Sequence, residues 1–204
     1  MTDRTVFQKF FSRLRRDPKG SAAVEFAMVA PVFFLLLMAT VETGVMFFAQ
    51  STLQNAVNDA ARLVRTGQSA CFTTDANGGC QKMTADQFRT QVCNEVIVLL
   101  KVCNKDANGN SNLQFDVRSY PAGFAGVANS SPLDAGGNLP KLSDANFNTG
   151  NSCDVVLVRA YYAWPVFTPG LSFLLANMNG QYHLLATAAA FRNEPYTTNN
   201  TASC

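Results

Sequence analysis

The chain has 204 residues, room for about one globular domain plus an extra element. A hydrophobic content of 48% excludes an intrinsically disordered chain, and a charged content of 15% is sparse for a soluble cytosolic protein. The net charge of +2 hides an asymmetry: residues 1–20 carry six cationic side chains (Arg4, Lys9, Arg13, Arg15, Arg16 and Lys19) against Asp3 and Asp17, whereas the remainder carries ten cationic and twelve acidic ones.

A basic head in front of an apolar run keeps an N-terminus in the cytoplasm. The rival reading, a nucleic-acid arm, lacks aromatic interleaving and a recognition motif, so no nucleic-acid partner is expected. The apolar run follows at once. Ala22 to Val41 is 20 residues long with Glu25 as its only charge, and as a helix it would span ~30 Å, the thickness of a bilayer's hydrocarbon core. A cleavable secretory signal would need small residues just after this run, where "MFFAQ" offers Phe47. The pattern also continues. Leu53, Ala56, Val57, Ala60, Ala61 and Val64 recur at helical spacing, with Gln54, Asn55, Asn58, Asp59, Arg62 and Arg65 on the other face. Gly67 supplies a C-terminal stop. Ser21 to Thr66 is therefore expected to be one helix of 46 residues, membrane-compatible in its first half and amphipathic in its second. Pro31 removes one backbone hydrogen bond and should kink it, and Gly44 is a second weak point. A carboxylate inside a span is costly. Glu42, near the outer end of the span, is expected to be solvated or interfacial, the alternative being a pairing with a basic residue on another subunit.

All six cysteines, Cys71, Cys80, Cys93, Cys103, Cys153 and Cys204, follow the apolar run. With the head inside they lie outside, where disulfides persist. Their spacings match no zinc pattern, and no metal or cofactor is expected. Cys71 and Cys80 would close the polar loop "QSACFTTDANGGCQKM", and Cys93 and Cys103 would fold the chain back after a second helix. Cys153 and Cys204 are then left as the third pair, although spacing alone leaves other pairings open.

That second helix is expected over Thr84–Lys101, with Phe88, Val92, Cys93, Val96, Leu99 and Leu100 on one face and a capping box of Thr84 with Gln87. "DANGNSN" from Asp106 opens like a calcium loop but has Ser111 and Val117 where glycine and glutamate are needed, so turn chemistry accounts for it better. Three strands are expected: around Leu113, Phe115 and Val117; over Asp154–Tyr162; and over His183–Arg192, the last weakened by its alanines. The sole histidine, His183, and the pair Tyr162 and Trp164 suit packing roles. Two long connections remain, Pro121–Ser152 and Thr168–Gln181, and loops of such length are usually functional or mobile. The second holds Leu171, Phe173, Leu174 and Leu175. This group either folds onto the sheet or stays exposed as a contact surface. The fold class is α+β: a long N-terminal helix and a short helix packed on a small antiparallel sheet. No nucleophile elbow, phosphate loop or paired catalytic carboxylates point to an enzyme.

"KGSAAVEF" puts Gly20 at the end of the basic head and Glu25 five residues on. It resembles the prepilin-peptidase motif of type IV pilins. "GSAAVEFAMVAP", with "YYAWPVFTPG" and "LLATAAAFRNEPY", resembles the TadE-like minor pilins, or pseudopilins, of the tight-adherence (Tad) pilus. Phe26 stands where that pattern often has tyrosine. The resemblance implies a leader over 1–20 removed between Gly20 and Ser21, a helix over 21–66 and a pilin-like extracytoplasmic domain over 67–204. It implies a single pass through the inner membrane with the N-terminus cytoplasmic, or a place in the pilus itself. The partners it implies are prepilin peptidase, the major pilin and other minor pilins, the inner-membrane assembly platform and membrane lipid. Glu25 would pair with the N-terminal amine of a neighbouring subunit. Without the resemblance, Glu25 is an interfacial carboxylate and the chain a permanently anchored extracytoplasmic binding module.

Overall fold

The computed structural model describes residues 21–96, 113–127, 131–140, 146–168 and 170–196. Helix α1 covers Ser21–Arg65, 45 residues with Pro31 inside it. It ends where expected, because Gly67 takes a left-handed conformation (φ 78°) that other residues adopt at a cost. The Tyr196 ring also lies so close that a Cβ on Gly67 would sit 2.3 Å from it.

Two compact units follow along the chain, the first ending at Thr43 and the second beginning at Gly44. In the first, the apolar residues of α1 are exposed nearly throughout, among them Phe26, Met28, Val29, Phe33 and Leu36. In the second, α1 buries the stripe Met46, Ala49, Leu53, Ala56, Val57, Ala60, Ala61 and Val64, the face that its periodicity marks as apolar.

The second unit closes first on a small hairpin, β1 (Thr73–Thr74) with β2 (Cys80–Gln81). Asp75 shapes its turn by accepting from the Asn77 and Gly79 N–H groups, so this carboxylate serves the backbone. Helix α2 (Ala85–Glu95) starts at the expected capping box: Gln87 N–H donates to Thr84 Oγ1, and Thr84 N–H to Gln87 Oε1. It stops at Glu95, short of Lys101, with Val96 as its C-cap. The β-branched run Val96, Ile97, Val98 is a poor continuation for a helix. The remainder of the expected helix, with Leu99 and Leu100, and the "DANGNSN" stretch lie outside the described residues.

The main sheet has the order β3–β4–β5, all antiparallel, from β3 (Leu113–Tyr120), β4 (Val155–Pro165) and β5 (Tyr182–Arg192). Central β4 is largely apolar on both faces, with Arg159 its one charged residue. Edge strand β5 alternates, turning Leu185, Thr187 and partly Phe191 inward despite its alanines. The core joins the α1 stripe, Phe88 and Val92 of α2, and the inner sheet face from Leu113 to Trp164. The connection from Pro121 to Ser152 is partly docked rather than loose. Phe147 bridges to Val117 and Asn148 N–H donates to the Val117 carbonyl, engaging the outer edge of β3 at that position. The outer edge of β5 is engaged too. Gln50 Nε2 donates to the Ala186 carbonyl, Leu184 N–H to Asn177 Oδ1, and the Asn177 and Met178 N–H groups to the Tyr182 carbonyl.

Candidate functional site

Ser21 is the first residue of α1, and Gly20 lies outside the described residues. Glu25 follows one turn later, about 6 Å along the axis, exposed on a helix whose neighbours Phe26, Met28 and Val29 are exposed as well. A carboxylate thus stands beside the position where cleavage after Gly20 would create an amine, surrounded by side chains that water hydrates poorly. Within α1 an 18-residue window has a mean hydropathy of 2.2 with none of it buried, long and apolar enough to cross a membrane. Glu42 departs from expectation: it is 8% exposed, not solvated. It falls on the helical register that continues as Met46, Ala49 and Leu53, the buried stripe of α1.

The β4–β5 connection divides. Leu171 is buried and Leu175 half-buried, while Phe173 and Leu174, on a single helical turn (Ser172–Leu175), are 79% and 68% exposed. His183 holds this turn in place, its Nδ1–H donating to the Leu175 carbonyl. The lone histidine therefore has a positioning role in the loop. Phe167, which periodicity did not single out, is exposed beside it and packs edge-on against the buried Trp164 at 6.2 Å.

Cys71 and Cys80 form the expected disulfide. Cys93 and Cys153 are disulfide-bonded as well, while the expected partners Cys103 and Cys204 lie outside the described residues. Non-reducing peptide mapping is expected to recover Cys71–Cys80, Cys93–Cys103 and Cys153–Cys204. A Cys93 peptide linked to any cysteine other than Cys103 would overturn the second and third pairs together.

Sequence reasoning missed three polar arrangements. Gln50 and Gln54, four apart on α1, reach β5 at Ala186 and Thr187. Two glutamines at that spacing beside an apolar stripe were the available signal. Buried Asp116 binds Arg118 Nε at 2.7 Å, with Arg159 Nη1 at 4.0 Å across the strand pair. The hydrogen bond to Asp116 raises the Arg118 pKa above its ordinary value. At the far end Asn193 donates to the Thr149 and Asn151 carbonyls. Burial, with Asp154 nearby, pushes the Tyr196 phenol up, and burial does the same to Tyr162. Among the described residues no His, Cys, Asp and Glu cluster could hold a metal.

No match was found among curated proteins or among solved structures. A family model, described as TadE-like protein, matches residues 20–62. It begins at the glycine of the N-terminal motif and takes in nearly all of α1, while "YYAWPVFTPG" and "LLATAAAFRNEPY" fall outside it. By its N-terminal motif and the long helix behind it, this stretch of the chain is similar to the TadE-like proteins.

Proposed function

We propose that this chain is a minor pilin or pseudopilin of a Tad-type pilus, cut after Gly20 by a prepilin peptidase and needed for assembly, priming or adhesion of the fibre. The likeness of residues 20–62 to the TadE-like proteins, generally non-enzymatic structural proteins, supports this reading. The carrying observation is that the most apolar window of α1 has no buried residue. A helix of that kind requires a cover. Lipid supplies it before assembly, and the helices of the major pilin and other minor pilins supply it in the fibre. The basic head sets the N-terminus in the cytoplasm and the disulfide-bearing unit outside the inner membrane. Pro31 leaves the Ala27 carbonyl without its helical N–H partner, so α1 can bend there when it leaves the membrane for the assembly platform or the fibre.

The mature chain is expected to begin at Ser21. Mass spectrometry of the protein from its own membranes checks this. Gly20→Asp should leave a full-length, membrane-held precursor. Recovery of wild-type protein beginning at Met1 or Thr2 would instead support a permanent anchor.

A further inference from the structure

We propose that Asn179, in the turn that leads into β5, is a site of spontaneous covalent modification, its side-chain amide lost to a succinimide that opens to aspartate and isoaspartate. The proposal stands within the second unit and needs neither a membrane nor a pilus. The chain carries three Asn-Gly pairs, Asn77–Gly78, Asn108–Gly109 and Asn179–Gly180. In such a pair the glycine nitrogen can reach the side chain before it, because no Cβ restricts the backbone there. Asn108–Gly109 lies outside the described residues. The fold treats the other two differently.

Asn77 and Gly78 sit in the β1–β2 turn, and Asp75 engages both of their N–H groups. Asn77 N–H donates to the Asp75 carboxylate at 2.9 Å, and Gly78 N–H to the Asp75 carbonyl at 3.0 Å. The Gly78 nitrogen would have to leave that bond before it could attack. The Cys71–Cys80 disulfide closes the same loop and restrains its opening. Asn179 and Gly180 are both exposed, in the turn that pairs Met178 with Tyr182. The bonds that anchor this turn fall to either side: Met178 N–H on the Tyr182 carbonyl, and Asn179 N–H on the Gly137 carbonyl. Gly180 N–H donates to no described residue. Its nitrogen is the one that the reaction uses.

That nitrogen forms a bond to Asn179 Cγ while the Cγ–Nδ2 bond breaks. The proton of the Gly180 N–H, passed through solvent, leaves with Nδ2 as ammonia. Water then opens the ring at either carbonyl, so neither oxidant nor reductant is consumed. Both products place a carboxylate in a stretch with no Asp, Glu, Lys or Arg between Arg159 and Arg192, on the same connection as the exposed Phe173 and Leu174. Isoaspartate also lengthens the backbone of the turn that Gly137 holds.

The test incubates the full chain in detergent, disulfides intact, in mildly alkaline buffer made with heavy-oxygen water. A second sample is reduced and denatured first. Tryptic peptides are then read by mass spectrometry with electron-transfer fragmentation, which separates isoaspartate from aspartate. In the folded chain, heavy oxygen at position 179 is expected to exceed that at 77 by about an order of magnitude, the factor that breaking a hydrogen bond and reopening its turn imposes. In the denatured chain the two positions should label alike. Equal labelling at 77 and 179 in the folded chain overturns the proposal, as does labelling at 179 no higher than at Asn177, which precedes a methionine. An excess at 179 that persists in the denatured chain overturns it too, since the difference would then belong to local sequence.

Discussion

Glu25→Ala is expected to abolish pilus assembly while leaving cleavage and membrane insertion unchanged. In the free subunit Glu25 is exposed on a helix that presents apolar side chains to its surroundings. Docked helices would take both this carboxylate and a neighbour's Ser21 amine out of water. Two such charges are tolerable together, and removing one partner costs roughly 3–5 kcal/mol because the other is left uncompensated. That corresponds to a loss of about two to three and a half orders of magnitude in the docking equilibrium at each step. A loss of that size at a required docking step should leave assembly close to abolished. Alanine is well tolerated in lipid helices, so the variant should still fractionate with membranes and begin at Ser21. Electron microscopy of the cells, beside the mass of the N-terminal peptide, decides the matter. Normal piliation would return Glu25 to the role of an interfacial carboxylate whose stem lies along the lipid.

Phe88→Ala should lose roughly 3–5 kcal/mol of folding stability, the range for truncating a buried aromatic. Phe88 is fully buried where three parts of the second unit meet: α2, the Phe115 ring at 5.4 Å and the Phe147 ring at 5.5 Å. The loss should therefore free Phe147 and the connection docked along β3, not only α2. Thermal unfolding of the full chain in detergent, followed by near-UV circular dichroism, measures it. Phe173→Ser is the contrast, expected to change stability by about 0.5 kcal/mol or less because an exposed ring has little to lose. A destabilisation by Phe173→Ser comparable to that of Phe88→Ala would mean that the loop packs inward.

What sequence could disclose here followed from periodicity and local chemistry. Leu53 to Val64 marked the buried face of α1, Thr84 and Gln87 the start of α2, and the alternation around Val117 and Leu185 the strands. Such signals are carried within a few residues, so no partner needs to be known. The errors have the opposite origin. Glu42 looked solvated because a carboxylate is charged, yet its register assigns it to the stripe of Met46 and Ala49. The Pro121–Ser152 connection looked loose because Gly, Asn and Ser dominate it, yet Phe147, one of its two aromatics, is enough to dock part of it on β3. For Leu171 to Leu175, composition offered two outcomes, and the structure takes both: the first leucine turns inward, while Phe173 and Leu174 turn out. A pattern of apolar residues does not say which of them finds room. At the N-terminus, Gly20, Ser21 and Glu25 are proposed as a set from a resemblance to a linear motif, which needs no fold to be read.

The two borders of the main sheet bear on whether another chain can add to it by strand pairing. An open strand edge is a template on which another chain can add by backbone pairing. On β3 the Val117 carbonyl is occupied by Asn148, and on β5 Tyr182, Leu184 and Ala186 are occupied by Asn177, Met178 and Gln50. Strand alternation leaves Ala188 and Ala190 as the open stretch on β5, ending at the charged Arg192. A stretch that short cannot seed a sheet shared between molecules. Strand addition is blocked at these positions, so in the proposed assembly the contacts between subunits fall to the long helix.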